Sequence, residues 1–385
     1  MPPRRLARAF DIAVEHSLVL PLGAIVALIW ANTAAHSYLR VAHALQFIVN
    51  DIGMAFFFAL ATKEVVEATA PGGALHPWRR AALPVVAATG GMIGPALIYV
   101  ALVLLWRQPL LLRGWAIPCA TDIAFSYLVA KAIFGGGHPA VPFLLLLAIA
   151  DDALGLIVLA LFYPIGDLHL FVGSLLMAAA LGVSLALRRG KTLNFWPYIL
   201  AGGALSWCAL FWSGLHPALA LVPIVPFLPH AARDPGLFVP APAEARDPLS
   251  ELEHRWKYPV QIVLLFFGLE NAGVEVQQVG AGTWVVLSAI LAGKPIGIVA
   301  MVATAVAAGL HPPARVTWRD LIVVGFAAAI GFTVALFFAI VAFPAGPLLN
   351  QAKMGALLSI SGAVAAMGAA ALLRVGRFGR RAARP

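Results

Sequence analysis

Apolar stretches of about 20 residues recur along the whole chain, and they constrain the fold more than any other feature. A helix needs about 20 mostly apolar residues to cross the hydrocarbon core of a bilayer. Twelve segments meet this requirement: 12–32, 47–69, 80–106, 114–132, 139–163, 168–188, 194–212, 214–230, 256–275, 283–309, 318–343 and 351–374. We therefore predict an all-α membrane protein, a single polytopic transport domain over 1–385 with about twelve transmembrane helices.

The composition agrees with an exterior that faces lipid. Of the 385 residues 62% are hydrophobic and 11% are charged, with a mean hydropathy of +0.91, whereas a soluble domain has about 25% charged residues. The net charge of +9 does not indicate a nucleic-acid partner, because the charges lie at the two ends and in short connectors. Cys119 and Cys208 lie in apolar surroundings and match neither a disulfide framework nor a metal motif.

The distribution of Lys and Arg predicts the orientation of the chain. With the N-terminus in the cytoplasm, 20 of the 26 basic residues fall in cytoplasmic segments and 4 in outside segments. The remaining two, Lys63 and Lys294, lie within predicted spans. The basic start MPPRRLARAF has no clear cleavage site after it, so we expect a first spanning helix and two cytoplasmic termini. The one long connector, near 231–255, then lies on the cytoplasmic side.

Seven ionisable residues lie inside predicted spans, where each charge costs roughly 3 kcal/mol. They are Lys63, Glu64, Asp122, Asp151, Asp152, Glu270 and Lys294. A buried ion pair that fixes helix packing explains a single such residue equally well. Adjacent carboxylates repel each other, and their side chains diverge by about 100° on a helix, so one can face a cavity while the other meets a partner helix. We expect Lys294, a lone cation in another apolar span, to be the partner of Asp151–Asp152.

Two spans show signs of interruption. Pro118 precedes Thr121 and Asp122 in the first, while Gly331 and Thr333 lie in the apolar run AAIGFTVALFF in the second. Broken helices leave free amide and carbonyl ends at mid-membrane, and transporters use such ends to coordinate ions. A similar Gly/Ile/Gly pattern precedes each interruption, as an inverted repeat would produce.

Three further polar residues lie near the ends of spans. His216 begins a span near the outer face, and we expect a hydrogen-bonded structural role for it. Glu253 and His254 lie at the start of the span near 256. Acidity at a helix start is favoured by the helix dipole, and a cluster that titrates with cytoplasmic pH is the alternative.

From about residue 20 to about residue 370, the chain resembles the NhaA family of bacterial sodium/proton antiporters. The resemblance is carried, in order, by GWAIPCATDIAFSY (114–127), LAIADDALGLIVLALFYP (147–164), GKPIGI (293–298) and GFAAAIGFTVALFF (325–338). It implies an inverted-repeat fold in which the fourth and eleventh helices are discontinuous and cross each other. It also implies a transporter of the bacterial inner membrane, with no enzymatic activity and no resident cofactor.

The resemblance further implies the transported ions and the residues that carry them. Asp152, with Asp151 beside it, would bind Na+ or Li+ transiently, and Lys294 would neutralise Asp151 and exchange a proton when their pair opens. The protein would exchange cytoplasmic Na+ or Li+ for external H+, electrogenically and under pH regulation, and so serve sodium and pH homeostasis. Its partners would be the lipid bilayer and a second copy in a homodimer, with no nucleic acid.

Two further groups of residues match positions that the family uses. Asp122, with Thr121 and Thr333, would compensate the facing helix ends at the two breaks. The positions matching the family's response to cytoplasmic pH are Glu64, Glu253 and His254.

Lys63 and Glu270 depart from the family pattern. Lys63 precedes Glu64 where the family usually reads GLEVKRE, and Glu270 stands where an apolar residue is usual before NAGV. We expect Lys63 and Glu270 to form a compensating pair between the second and ninth spans.

Three other functions stay open on the sequence alone. A sodium symporter for an organic solute would need a second, roomier pocket, for which we find no cluster of polar residues. An intramembrane enzyme could pair Asp122 with Asp152 as an aspartyl protease, but the GxGD-type loop is absent, and DDALG at 151–155 does not match the DDxxD of prenyl-transfer enzymes. In a sensor or scaffold that transports nothing, the charges would only support packing.

Overall fold

The computed structural model describes residues 19–76, 78–229 and 247–380. All regular elements in this part of the chain are helical, which confirms the all-α fold class. Within it, six helices are long and apolar enough to cross a membrane, and two sharply bent helix pairs bring the number of spans to 8. The basic N-terminus and most of the connector predicted near 231–255 lie outside the described residues.

The first half of the chain consists of seven α-helices, and non-α turns precede two of them. In chain order they are α1 (Val19–Thr33), α2 (Ala35–Gln46), α3 (Met54–Thr69), α4 (Trp78–Leu105), α5 (Ile123–Phe134), α6 (Ala140–Phe162) and α7 (Leu170–Arg189). A π-helical turn, Phe47–Gly53, leads into α3, and the 3-10 turns Pro109–Gly114 and Ile117–Cys119 precede α5.

The second half begins with another π-helical turn, Tyr198–Gly203. The helices that follow are α8 (Ala204–Ser213), α9 (Pro248–Asn271), α10 (Ala281–Ala307), α11 (Trp318–Ala328), α12 (Phe332–Ala342), α13 (Pro347–Leu358), α14 (Gly362–Leu372) and α15 (Arg377–Arg380). A 3-10 turn, Ser359–Ser361, joins α13 to α14.

Each predicted span except the eighth contains all or most of at least one of these α-helices. The described part of this segment, 214–229, forms only the short 3-10 turns Pro217–Leu219 and Val225–Phe227, so the prediction of a spanning helix over 214–230 is wrong. The reason lies in Pro217, Pro223 and Pro226, because each proline removes a backbone donor and its ring clashes with the preceding helical turn.

Helix α2 was not predicted, because its sequence mixes polar and apolar residues and falls short of a span. Its only buried side chain is that of Tyr38, whose hydroxyl donates a hydrogen bond to the Glu270 carbonyl oxygen at 2.6 Å. The helix therefore lies against the end of α9, with most of its residues on the surface.

Glycines bring α4 and α10 into close contact. Gly90 and Gly94 on α4 face Gly293 and Gly297 on α10, and a methyl group added at Gly297 would lie 2.0 Å from the Gly90 carbonyl oxygen. Small residues allow the backbones of membrane helices to approach in this way. The contact places Lys294, which follows Gly293, in the interior with 0% of the residue exposed.

Aromatic side chains fill the core beside α12. The ring of Phe337 contacts that of Phe58 on α3 at 5.0 Å between centroids and that of Phe267 on α9 at 6.3 Å. Edge and tilted ring contacts of this kind add to the burial of large apolar surfaces. Helices α3 and α9 are thereby packed against the second interrupted span.

Candidate functional site

The two interrupted spans meet at their breaks. Segment Pro109–Cys119 is bent by 56° from α5, and α11 is bent by 52° from α12. The backbone N–H of Asp122 donates to the Ile330 carbonyl oxygen at 2.6 Å, and the Thr121 hydroxyl donates to the Ala328 carbonyl oxygen at 3.1 Å. The prediction of two discontinuous helices is confirmed, and hydrogen bonds join one break to the other.

Asp122 connects the start of α5 to the start of α12. Its Oδ1 accepts a hydrogen bond from the Phe125 backbone N–H at 3.3 Å, and its Oδ2 accepts one from the Thr333 hydroxyl at 2.5 Å. The residue is buried, and only 8% of it is exposed. A carboxylate at a helix N-terminus interacts favourably with the partial positive charge of that end. The geometry therefore suits the role that the resemblance implies for Asp122 and Thr333.

Asp151 and Lys294 form a buried ion pair between α6 and α10. The Lys294 Nζ lies 2.7 Å from Asp151 Oδ2, and the two side chains are 0% and 1% exposed. The same ammonium donates to the Thr121 hydroxyl oxygen at 2.7 Å, so Lys294 also holds the first break. The other oxygen of Asp151, Oδ1, is buried and accepts no hydrogen bond from any described residue.

Asp152, the next residue of α6, lies in a different environment from Asp151. It is half-buried and lines an enclosed cavity of about 20 Å³ together with Asp151, Cys119 and apolar side chains of neighbouring helices. About 10–15 Å³ of such space holds one water molecule, so the cavity has the size of a small ion or one or two waters. Among the described residues, no group of three or more His, Cys, Asp and Glu is placed to hold a metal ion.

The chemistry of this site follows from the difference between the two carboxyl groups. Lys294 neutralises Asp151, whereas the ion pairs of the described residues leave Asp152 without a cation. A half-buried carboxylate in a cavity of ionic size can bind either a proton or a small monovalent cation. The divergence predicted for adjacent helical residues thus gives Asp151 a partner helix and Asp152 the cavity.

The residues predicted to respond to pH do not share one environment. Glu64 on α3 is half-buried and interacts electrostatically with Asp152. Glu253, near the start of α9, accepts a hydrogen bond from Lys63. His254 is exposed and takes no part in the ion pairs around Lys63. Their role in a pH response stays a prediction.

The expected pair between Lys63 and Glu270 does not form. The Lys63 Nζ lies 2.6 Å from Glu67 Oε2 and also binds Glu253 Oε2. The physical reason is position along α9, since Glu253 and Glu270 are separated by about 25 Å at 1.5 Å per helical residue. Lys63 lies in the last turns of α3, beside the start of α9, and Glu270 lies at the opposite end.

Glu270 belongs to a separate cluster of polar side chains that the sequence did not indicate. Its carboxylate accepts hydrogen bonds from the side-chain amides of Asn50 at 3.2 Å and Asn271 at 2.6 Å.

One of the two partners of Lys63 could have been predicted from the sequence. Lys63 and Glu67 are four residues apart on a helix, and such residues are neighbours. The partner on α9 had no comparable signal.

His216 makes the structural contacts expected of it. Its Nδ1 accepts a hydrogen bond from the Ala218 backbone N–H at 3.3 Å, and its ring lies 4.9 Å from that of Phe337. The side chain therefore stabilises the irregular segment that replaces the eighth predicted helix.

Comparison with known proteins identifies relatives over almost the whole chain. The sequence model of the family described as Na+/H+ antiporter 1 matches residues 8–373. The chain is 46% identical over 381 residues to the Na(+)/H(+) antiporter NhaA 1 of Pelobacter propionicus, an alignment that covers 97% of this chain and 100% of that protein. Identity to the Na(+)/H(+) antiporter NhaA of Desulfitobacterium hafniense is 46% over 372 residues, covering 93% and 94% of the two chains.

A solved structure shows a related fold. The structure of a sodium proton antiporter from Methanocaldococcus jannaschii at pH 8 aligns with a TM-score of 0.59 at 15% identity, covering 97% of this chain and 100% of the other. The likeness at that identity is one of fold. The match of the family model and the curated relatives confirm the resemblance found in the sequence, and the chain belongs to the Na+/H+ antiporter 1 family, whose relatives here bear the name NhaA.

Proposed function

We propose that this chain is a secondary active transporter that exchanges cytoplasmic Na+ or Li+ for external H+ across the bacterial inner membrane. The observation that carries the proposal is the placement of Asp152, half-buried in a cavity of about 20 Å³ beside an Asp151 that Lys294 already neutralises. Membership of a family named for Na+/H+ exchange supports the same reaction.

Exchange follows from competition for one carboxyl group. The Asp152 carboxylate binds Na+ from the cytoplasmic side, because it cannot hold a proton and a metal cation at the same time. A rearrangement of the two halves then exposes the site to the outer side, where protons displace the Na+. The opposite rearrangement returns the protonated site to the cytoplasm and releases the proton.

The Lys294–Asp151 pair provides a second proton. If the pair opens when Na+ binds and Lys294 releases its proton, more than one proton enters for each Na+ expelled. The exchange is then electrogenic, and the membrane potential drives it with about 2.3 kcal/mol per charge per 100 mV. The hydrogen bond of 2.7 Å between the Lys294 ammonium and Thr121 couples this proton to the first helix break.

Asp122, Thr121 and Thr333 stabilise the partial charges of the helix ends while the breaks move. Alkaline pH favours transport because it removes protons from the carboxyl groups, and a cluster of Glu64, Glu253 and His254 adjusts this dependence. Both termini then lie in the cytoplasm, and the protein assembles as a homodimer.

The size of the cavity disfavours transport of an organic solute, because about 20 Å³ holds no more than one or two water-sized particles.

Proton movement in everted membrane vesicles tests the proposal. Vesicles are acidified inside by respiration, and Na+ or Li+ is added at pH values from weakly acidic to alkaline. Wild-type protein is expected to dissipate the proton gradient on addition of either cation, and Asp152→Asn is expected to abolish this response. Asp167→Asn is the matched control, since Asp167 is exposed and outside the cavity.

Each result has a defined meaning for the proposal. Loss of the response in Asp152→Asn, with retention in Asp167→Asn at equal membrane content, supports Asp152 as the ion-binding carboxyl group. A wild-type protein that is inserted and folded but shows no Na+- or Li+-linked proton flux at any pH contradicts the proposed exchange. Retained flux in Asp152→Asn contradicts the assignment of the site.

A further inference from the structure

A fixed cation lies among carboxylates between α3 and α9. Lys63 is buried with 7% of the residue exposed, and its ammonium binds both Glu67 and Glu253. These three side chains together carry a net charge of −1. Arg255, two residues after Glu253, pairs with Glu251, one turn before it on α9, at 2.8 Å. Among the described residues, the ion pairs of Glu67 and Glu253 that we find are both with Lys63.

The Lys63 cluster has one member at the protein surface and lies next to Glu64 on α3. Glu253 is its outer member, with 47% of the side chain exposed. Glu64, next to Lys63 on α3, interacts electrostatically with Glu67 and Glu253 on one side and with Asp152 on the other. Glu64 is therefore the residue of α3 whose charge acts both on the Lys63 cluster and on Asp152.

Two observations describe how α3 lies relative to the cavity and to α9. Ala61, about one helical turn before Glu64, lines the cavity that contains Asp152. The rings of Phe56 and Trp256 stack at 3.5 Å with an interplanar angle of 6°, and they hold α3 against α9 beside the cluster. Lys63 lies two residues after Ala61 on α3 and is therefore close in sequence to a residue that lines the cavity.

We propose that Lys63 is a tethered competitor of the transported cation and thereby sets the apparent KM for Na+. Its ammonium occupies the carboxylates of Glu67 and Glu253, which a Na+ ion on its way to Asp152 would otherwise meet. This inference rests on the proposed function, because it assigns a role within Na+ uptake from the cytoplasmic side.

Charge accounts for the direction of the effect. A mouth lined by negative charge raises the local concentration of cations and the rate at which they associate, by about tenfold or more. Removal of Lys63 changes the net charge of the cluster from −1 to −2, and removal of the Glu67 charge changes it to 0.

Four variants form a charge series that tests the proposal. Lys63→Met is expected to lower the KM for Na+ by about tenfold, and Glu67→Gln is expected to raise it. The double variant Lys63→Met/Glu67→Gln restores the net charge of −1 and a KM near that of the wild type. Lys63→Arg keeps the charge and is expected to leave the KM near the wild-type value.

The measurement is Na+-dependent proton flux in everted vesicles at one alkaline pH, with choline chloride added to vary the ionic strength. The KM difference between Lys63→Met and wild type is expected to shrink as salt is added, because salt screens a partly exposed charge. A purely structural role for Lys63 predicts that both single substitutions impair transport in the same direction and that the double variant does not recover. That pattern, or an unchanged KM in Lys63→Met, overturns the proposal.

Two further measurements keep the test decisive. If Lys63→Met does not insert into the membrane, the KM for Na+ is compared between Glu67→Gln, Lys63→Arg and wild type. A KM that is not raised in Glu67→Gln overturns the proposal. If the wild type shows no Na+-linked flux, the proposed function has failed, and Na+-dependent stabilisation of the purified protein decides on Lys63. Stronger stabilisation of Lys63→Met than of wild type at equal Na+ supports competition, and equal stabilisation overturns it.

Discussion

The ammonium of Lys294 lies 2.7 Å from Asp151 Oδ2, and neither side chain is more than 1% exposed. The neighbouring residue Asp152 is half-buried and forms no such ion pair with any described residue, although both aspartates line the cavity. Two residues that are adjacent in sequence and identical in chemistry thus differ in that one forms a buried ion pair and the other is the carboxyl group to which we assign cation binding. The predictions below follow from this division and from the contacts that maintain it.

Lys294→Met is expected to lower the stability of the folded protein. A buried ion pair that loses one partner typically costs about 3–5 kcal/mol, because the remaining charge is left uncompensated. The thermal unfolding temperature in detergent measures the loss. In the double variant Lys294→Met/Asp151→Asn no charge is left behind, so most of the stability is expected to return. A double variant as unstable as Lys294→Met would assign the loss to packing.

Thr333→Val is expected to weaken the connection between the two helix breaks. The substitution keeps the shape of the side chain but removes the hydroxyl that donates to Asp122 Oδ2. A hydrogen bond to a charged group contributes about 1.5–3 kcal/mol, so both the unfolding temperature and the rate of Na+-linked proton flux should fall. Thr333→Ser keeps the donor and is the matched control. Equal losses in the two variants would exclude the hydrogen bond as the cause.

Gly297→Ala is expected to displace α10 from α4. The added methyl group would lie 2.0 Å from the Gly90 carbonyl oxygen, and backbone at that distance has to move. Overpacking of this kind costs about 1–3 kcal/mol, and here it also shifts Lys294. Gly182→Ala on α7 is the control, because a methyl group there meets nothing within 4 Å. The unfolding temperature and the flux should fall in the first variant and stay unchanged in the second.

The apparent KM for Na+ is expected to fall as the pH rises and then to become constant. In the proposed mechanism, protons and Na+ compete for the Asp152 carboxyl group, so lowering the proton concentration frees the carboxylate for Na+. Flux measured over a series of Na+ concentrations at each pH gives the KM. Asp167→Asn should follow the wild-type curve. A KM independent of pH, with only the maximal rate changing, would contradict competition at one carboxyl group.

Much of the fold and the central site could be predicted from the sequence because the relevant signals are local. Apolar segment length identified the spans, and the Gly and Pro positions indicated the two interruptions. The adjacency of Asp151 and Asp152 and the isolation of Lys294 in an apolar span indicated their pairing. The eighth segment shows where hydropathy alone misleads, since 214–230 is apolar enough to span but its prolines prevent a helix.

Partners across helices could not be predicted in the same way. Lys63 and Glu270 are charges of opposite sign in neighbouring spans, yet Lys63 binds Glu67 and Glu253 at one end of α9 while Glu270 binds Asn50 and Asn271 at the other. Charge alone does not specify the height of a residue along its helix relative to the next helix. That height depends on packing contacts such as the stack of Phe56 on Trp256.

The sequence by itself determined that this chain is an all-helical membrane protein of the Na+/H+ antiporter 1 family with an aspartate pair in one span and a lysine in another. Only the tertiary structure decided that Asp152 lines a cavity of about 20 Å³ and that Lys63 pairs with carboxylates on two helices. Span length and ionisable residues are properties of a segment and can be read along the chain. Ion pairs and cavities depend on the rotation and height at which helices pack, and these follow from side-chain contacts between segments that are distant in sequence.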